Sequence, residues 1–163
     1  MKKLFVSIPL KGRSKKDIED SLDRIKGAAE ELLDEKVELL HQDVKDLPDF
    51  EKGDEGFEDN LAFLAKDIEL MSEADYFATI EDNYDFRHCT LEEDIFRKYR
   101  GKDYDKSKDI MFRFSTNVVA PDVVKKEREL AKKLWGEKAL LDEAPETVYE
   151  EKQNQDWLWK ILN

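Results

Sequence analysis

Short apolar runs alternate with longer amphipathic segments along the chain, and this alternation constrains the fold more than any other feature. The runs are rich in β-branched and aromatic residues, and their lengths are typical of buried strands. They read KLFVSI (3–8), KVELLH (36–41), YFATI (76–80) and IMFRF (110–114). Strands that alternate with helices predict a parallel sheet covered by helices.

The segments between the strands have helical periodicity. Residues 15–34 form the clearest amphipathic helix, and Ser14 with Asp17 has the spacing of a helix-capping box. A second helix leads into the YFATI run, a third starts at Thr90, and a fourth has Pro121 in its first turn. Apolar residues at helical spacing mark the first two helices: Ile18, Leu22, Ile25, Ala29 and Leu32, then Leu61, Leu64, Ile68 and Met71. The residues expected on the inner faces of the third and fourth helices are Leu91, Ile95 and Tyr99, and Val124, Leu130, Ala131 and Leu134.

These elements predict an α/β fold, doubly wound, with a mostly parallel four- to five-stranded sheet and helices on both faces, of the flavodoxin or Rossmann type. A chain of 163 residues fits a single domain. We expect residues 1–120 to form the core sheet and its helices, and 121–163 to form a helical C-terminal extension. The acidic stretch 41–60 and the segment 83–89 are expected to be loops.

The charge and the cysteine count exclude several classes of protein. The formal net charge is −12, which argues against a protein that binds duplex nucleic acid through a basic face. Cys89 is the only cysteine, so no internal disulfide forms and a reducing, cytoplasmic location is expected. Two histidines without paired Cys/His spacing argue against a structural zinc site. No apolar run approaches the length of a membrane span.

Two predicted loops lie where a parallel sheet of this type binds ligands, beyond the carboxyl ends of its strands. The first is PLKGRS, after the first strand. Its Lys11, Gly12 and Arg13 precede a helix, whose unpaired N–H groups and positive dipole end favour an anion such as a phosphate. A solvated basic turn, shaped by Ser7 and Pro9, is the alternative.

The second loop, NYDFRHCTLEE, ends in two adjacent glutamates. Thr90 and Glu93 have capping-box spacing, which gives Glu93 a structural role. Glu92 then lies in the first helical turn, either as a harmless surface acid or as an ionised carboxylate held at the edge of the sheet. Such a carboxylate can attack an anomeric carbon and form a covalent glycosyl-enzyme ester.

The leaving group of such a reaction needs a proton. Asp82, Asp85 and His88 are the nearby candidates, and spacing singles out none of them. His88 is equally read as a loop histidine bonded to the backbone. Cys89 is a rival nucleophile, although a small buried thiol is the commoner state.

Three stretches, in this order, resemble the nucleoside 2-deoxyribosyltransferase-like superfamily, and in particular its small, poorly characterised bacterial and phage members. They are LFVSIPLKGR (4–13), DIELMSEADYFATI (67–80) and RHCTLEEDIFRKY (87–99). The resemblance implies cleavage or transfer at an N-glycosidic bond of a (deoxy)nucleoside or its monophosphate, without a metal or organic cofactor. It also implies a homo-oligomer, for which Trp157 and Trp159 would suit a subunit contact.

Position by position, Glu92 falls where the family has its nucleophile, and the Pro9–Arg13 loop falls where family members bind sugar or 5′-phosphate. Arg87 and Cys89 match the neighbours of that nucleophile in the small-protein branch. The chain departs from the family at His88, where glycine is usual, and at Phe86, where an acidic residue is usual.

Two hypotheses follow. The first is an N-glycosidase or 2-deoxyribosyltransferase with Glu92 as nucleophile and Asp85 or His88 assisting. Its substrate-binding residues would be Ser7, Pro9, Lys11, Gly12, Arg13, Asp82 and Arg87. The second is a non-catalytic binder of a nucleotide-like small molecule or of a protein partner on the same fold.

Overall fold

The computed structural model describes residues 1–48, 61–100 and 109–136. The strands are β1 (Lys2–Ser7), β2 (Val37–Leu40), β3 (Tyr76–Ile80) and β4 (Met111–Phe114). The helices are α1 (Lys15–Leu33), α2 (Leu61–Glu73), α3 (Arg87–Arg100), α4 (Thr116–Val119) and α5 (Pro121–Trp135). Short 3-10 turns cover Val44–Asp46 and Asn83–Asp85. The aromatic C-terminal tail, with Trp157 and Trp159, and most of the acidic loop lie outside the described residues.

The four strands form one parallel sheet in the order β2-β1-β3-β4. The chain leaves β1 towards β2 on one side and then returns to pair β3 on the other side of β1. The direction of winding therefore reverses between β1 and β3, and the carboxyl ends of these two strands flank the switch point. The predicted doubly wound α/β fold is confirmed.

The two faces of the sheet bury different cores. On one face, Leu4 and Val6 of β1 pack with the apolar side of α1 and with Val123 of α5. On the other face, Phe5 packs in a cluster that includes Met71 of α2 and Phe96 of α3. Because successive side chains of a strand point to opposite faces, the run LFV supplies both cores.

Helix α1 forms as the sequence predicts. Ser14 is its N-cap, since its hydroxyl oxygen accepts a hydrogen bond from the backbone N–H of Asp17 at 3.1 Å. Ile18, Leu22 and Ile25 are buried along one side of the helix. Each of these side chains contributes about 1.5–3 kcal/mol by its removal from water, so burial of this face fixes the helix on the sheet.

The apolar residues that mark α2 are only partly buried, and the inner face predicted for α5 is wrong in part. In α2 the face towards the sheet carries Phe63, Asp67 and Met71, while Leu61 and Ile68 are exposed. The apolar residues of α2 extend around much of the helix, so their spacing alone does not define the buried side. In α5 the buried residue is Val123, and the predicted face with Leu130 and Leu134 is exposed.

Helix α3 begins at Arg87 rather than at Thr90, so the expected loop 83–89 is a 3-10 turn followed by the first helical turn. The capping-box prediction is therefore wrong: the Thr90 hydroxyl lies inside the helix and donates to the Arg87 carbonyl oxygen at 2.9 Å. The predicted inner face is wrong as well. Leu91 and Tyr99 are exposed, and the buried positions include His88, Cys89, Glu92, Glu93 and Phe96.

Candidate functional site

The site forms around Glu92, which helix α3 directs towards the carboxyl end of β1. His88, Glu92 and Phe96 are spaced four residues apart and therefore share one face of the helix. Glu92 is only 2% exposed, and the Ser7 hydroxyl at the end of β1 donates a hydrogen bond to its Oε2. The two residues are 85 positions apart in the sequence, so this contact exists only once the sheet and α3 have packed together.

Asp67 on α2 brings a second carboxyl group to Glu92. It is 3% exposed and forms a side-chain hydrogen bond with Glu92. Two carboxyl groups make such a bond only when one of them carries a proton. Burial and, next, the negative charge of Asp67 raise the pKa of Glu92 well above its usual range, while His88 and Ser7 oppose the shift. Glu92 therefore keeps its proton to a higher pH than an ordinary glutamate does.

Sequence reasoning missed Asp67, and one signal pointed to it. Phe63, Asp67 and Met71 repeat at four-residue spacing, so an acidic residue interrupts an otherwise apolar side of α2. A carboxyl group on a buried face needs hydrogen-bond partners to offset its loss of solvation. Gln42, just after β2, supplies one, because its Nε2 donates to Oδ1 of Asp67 at 2.8 Å.

His88 is fixed to the backbone, as the alternative interpretation of the sequence has it. Its Nε2 lies 2.9 Å from the Ile8 carbonyl oxygen, and since a carbonyl only accepts, this ring nitrogen carries the hydrogen. Cys89 is fully buried, with Sγ 3.4 Å from the same nitrogen. Burial raises the pKa of the Cys89 thiol, which disfavours the thiolate that a nucleophilic role requires.

A small cavity lies between these groups at the edge of the sheet. Its volume is about 10 Å³, which is room for about one water molecule. Its polar lining consists of Ser7, His41, Asp67, His88 and Glu92, and the rest is apolar: Phe5, Val6, Ile8, Leu10 and Phe63. Burial lowers the pKa of His41, so this ring is neutral at neutral pH. No Lys or Arg of the described residues lines the cavity.

Arg13, predicted to bind an anion, is buried and binds other groups of the protein. The side chain is 1% exposed and forms a bidentate ion pair with Asp122 of α5, with Nε–Oδ2 2.8 Å and Nη2–Oδ1 2.9 Å. Its Nη1 donates to the Pro9 carbonyl oxygen at 2.8 Å. Gly12 has a φ of +70°, which glycine adopts without strain, and its carbonyl oxygen accepts from Lys126. The loop is therefore built to join α1 to α5.

Lys11 and Asp85 lie in a separate open groove of about 500 Å³, whose apolar wall is the exposed side of α5. None of the residues lining this groove lines the Glu92 cavity. Burial is the main cause that raises the pKa of Glu127 in the groove, and the charges of Asp82 and Asp85 add to it.

Asp82 is half-buried, with its backbone N–H 3.4 Å from Thr116 Oγ1, and Arg87 is exposed at the start of α3. The structure thus brings Ser7, His88 and Glu92 together, and leaves Lys11, Asp85 and Arg87 outside their cavity.

Glu93, the neighbour of Glu92, anchors α3 to the sheet. Its carboxylate accepts from Arg113 of β4 at 3.0 Å, from Arg97 at 2.6 Å and from Asn83 at 2.7 Å. Charge-assisted hydrogen bonds of this kind are among the stronger polar contacts in proteins. They hold the first turns of α3, and with them Glu92, against the carboxyl end of the sheet.

Comparison of the chain with protein-family models, with curated proteins and with solved structures finds no match. Within the described ranges, no three His, Cys, Asp or Glu side chains are grouped as a metal site would require. The helices in the same ranges include none that is long and apolar enough to cross a bilayer.

Proposed function

We propose that the protein cleaves or transfers the N-glycosidic bond of a nucleoside or nucleoside monophosphate, with Glu92 as the nucleophile. The observation that carries this proposal is the buried carboxyl pair of Asp67 and Glu92, at the point where the winding of the sheet reverses. Parallel sheets bind their ligands at this position. The order of the three sequence stretches that resemble the nucleoside 2-deoxyribosyltransferase-like superfamily supports the same chemistry.

The closeness of the two carboxyl groups favours a covalent route. Enzymes that retain configuration at the anomeric carbon place their two carboxyl groups about 5 Å apart, whereas inverting enzymes leave about 6.5–9.5 Å for a water molecule. Asp67 and Glu92 are close enough to share a hydrogen bond. A nucleophilic carboxylate and a covalent glycosyl-enzyme ester therefore fit this pair better than direct attack by water.

Ser7 gives the nucleophile its orientation. Its hydroxyl donates to Oε2 of Glu92 and so fixes the rotation of the carboxyl group. A sugar needs more room than the cavity now offers, so substrate binding requires its walls to separate. Phe63 of α2 is the largest apolar side chain on the wall opposite β1, and its displacement would open the cavity on the side of Asp67.

The test incubates the protein with a panel of nucleosides and their 5′-monophosphates and measures the released free base by chromatography. We expect base release by the wild type and none by Glu92→Gln. Asp94→Asn is the matched control, because it removes a carboxylate from the same helix at a residue that is 47% exposed. Absence of base release from the whole panel, or equal activity of the Gln variant, would refute the proposal.

The small cavity favours a second candidate, a binder that holds a nucleotide-like ligand without consuming it. A cavity of about 10 Å³ has room for about one water molecule and is too small for a sugar. A nucleoside that raises the melting temperature and is recovered intact would support this function. In that case Glu92→Gln should weaken binding modestly, because an amide keeps the size and most of the hydrogen bonding of the carboxyl group.

The proposal includes assembly into a homo-oligomer and a location in the cytoplasm. The apolar side of α5 supports the oligomer, because Leu130, Leu134 and Trp135 are 57%, 61% and 70% exposed. Exposed apolar side chains concentrated on one helix are typical of a contact surface. Light scattering coupled to size-exclusion chromatography measures the mass directly, and a monomer at every concentration would remove this part of the proposal.

A further inference from the structure

We infer that the N-terminal half of α2, residues 61–67, is a lid over the carboxyl pair, hinged where α2 joins β3 and latched by the hydrogen bond between Asp67 and Glu92. The lid opens when the pair carries two negative charges instead of one. The purpose of such a lid, to admit a nucleoside to Glu92, rests on the proposed function, whereas its movement can be measured without a substrate.

The C-terminal end of α2 is fixed to the sheet. Met71 is buried in the apolar cluster that contains Phe5 and Phe96. Glu73, the last residue of the helix, forms an ion pair with Lys3 of β1 at 2.7 Å. Strand β3 begins three residues after Glu73 and pairs with β1 and β4. This end of the helix is therefore the natural hinge.

The N-terminal half of α2 is held by fewer contacts. Its buried side chains are Phe63 and Asp67, and both line the cavity beside Glu92. The half-buried Gln42 joins it to the segment after β2, because Nε2 donates to the Phe63 carbonyl oxygen at 3.2 Å and to Oδ1 of Asp67 at 2.8 Å. Little apolar surface is buried here, so this half separates from the body at a lower cost than the rest of the helix.

The charges around Glu92 determine when the latch holds. The polar groups that surround Glu92 come from every element packed against it: the Ser7 hydroxyl of β1, His41 after β2, Asp67 of α2, and His88 and Cys89 of α3. Burial lowers the pKa of His41 and raises the pKa of Cys89, so both are neutral at neutral pH. His88 favours the ionised form of Glu92, while burial and the charge of Asp67 oppose it more strongly and raise the pKa of Glu92.

Loss of the Glu92 proton releases the latch. The hydrogen bond between the two carboxyl groups then has no proton, and two negative charges face each other in a buried site. Movement of α2 away from β1 lets water solvate both charges. Because the pKa of Glu92 is raised, the lid stays closed through the pH range in which an ordinary glutamate ionises and opens above it.

Cys89 reports this opening from inside the protein. It is the only cysteine of the chain and is fully buried. Its Sγ lies 3.4 Å from Nε2 of His88, and the Phe63 ring stands edge-on to His88. Displacement of Phe63 uncovers the His88 ring and the thiol beside it. Iodoacetamide therefore alkylates Cys89 at a rate set by the fraction of open molecules.

The experiment measures the alkylation rate against pH and divides it, at each pH, by the rate for a peptide of residues 86–91, which corrects for the thiolate fraction. For the wild type we expect this ratio to rise above the pH range of an ordinary glutamate, by up to about tenfold per pH unit, the limit for one proton. For Glu92→Gln, which gains no charge, the ratio should stay constant. Asp94→Asn, on the same helix and 47% exposed, should follow the wild type.

Urea distinguishes the lid from global unfolding. Opening half a helix exposes less surface, so the alkylation rate should depend less steeply on urea than the unfolding equilibrium does. Equal steepness overturns the lid, and so does a flat ratio in the wild type or a rising ratio in Glu92→Gln.

If Glu92→Gln does not fold, Asp67→Asn replaces it. Glu92 then ionises beside a neutral amide, so the ratio should rise less steeply with pH than in the wild type, and an unchanged rise overturns the latch. Base release does not enter these readings. A lid that opens in a protein without base release stands while the proposed function fails, and base release by a protein whose ratio is flat leaves the function and removes the lid.

Discussion

Arg13 and Asp122 join the beginnings of helices α1 and α5 across 109 residues of sequence, through two parallel N–H···O bonds of 2.8 and 2.9 Å. The guanidinium is 1% exposed and the carboxylate 20%. A charge this well buried is tolerated because its partner and the Pro9 carbonyl oxygen satisfy it. A residue that the sequence presents as an anion ligand therefore stabilises the fold.

Asp122→Asn should destabilise the protein, because it leaves the Arg13 charge buried beside a neutral amide. Removal of one partner of a buried pair costs about 3–5 kcal/mol, and the partial exposure of Asp122 places this case near the lower end. The free energy of unfolding in urea measures the loss. Asp20→Asn is the control, since it breaks the exposed pair of Lys16 and Asp20 and should cost less than about 1 kcal/mol. Equal, small losses in both variants would contradict a structural role for Arg13.

The sequence predicted the sheet well and the candidate site only in part, for different physical reasons. Strands such as YFATI are short, apolar and locally defined, so their pattern is enough to find them. Helix α1 combines a capping residue with a regular apolar side. In contrast, α3 begins one turn before the predicted start, and the side that faces inwards includes Glu92 rather than Leu91 and Tyr99. Its polar side chains have partners from distant parts of the chain, such as Ser7, so apolar spacing alone does not identify this side.

The contacts of Asp67 cannot be predicted from the sequence around it. It lies 25 residues from Gln42, and nothing in either segment announces their hydrogen bond. The contact between Ser7 and Glu92 spans 85 residues. Sites at the carboxyl edge of a parallel sheet form from separate loops and helices, so they appear only when the order of the strands is known.

The raised pKa of Glu92 should make stability depend on pH. In the unfolded chain the group titrates near pH 4.3, the usual value for glutamate, and in the folded protein it holds its proton to a higher pH. Below the unfolded value both states are protonated and the contribution is fully present. As the pH rises from there through the folded pKa, the unfolded state gives up its proton first, so the contribution to stability is lost.

Glu92→Gln removes this titration, so it should become progressively more stable relative to the wild type as the pH rises over that window. The difference should grow by at most about 1.4 kcal/mol per pH unit, the limit for one proton. Unfolding in urea at a series of pH values measures it, and Asp94→Asn serves as the exposed control. A constant difference between Glu92→Gln and the wild type across the window would show that Glu92 is ionised in the folded protein.

The raised pKa of Glu92 also predicts the pH dependence of base release. Glu92 attacks the sugar only as the carboxylate, so kcat/KM should rise with pH as Glu92 loses its proton. Because burial and Asp67 raise the pKa of Glu92, this rise should lie above the pH range of an ordinary carboxyl group. A rise near the pKa of a solvated glutamate would argue against a raised pKa of Glu92 in the folded protein.

Phe63 should control access to the carboxyl pair. It is 4% exposed, lines the cavity, and stands edge-on to His88 with ring centroids 6.5 Å apart. Phe63→Leu shortens this wall and should lower KM for nucleosides, or Kd if the protein only binds them, at a cost in stability of about 1–2 kcal/mol. Kinetics or calorimetry with a nucleoside, together with urea unfolding, separates the two effects.

Phe86→Leu is the matched control for this wall, because Phe86 is half-buried and lines the separate groove that contains Lys11 and Asp85. It should lower stability without changing KM or Kd. If the two variants change the affinity for the nucleoside equally, the ligand does not enter between α2 and the end of β1, and the carboxyl pair is not its binding site. If only Phe63→Leu changes it, the route to Asp67 and Glu92 passes through the position of this ring, since no other large side chain on α2 borders the cavity.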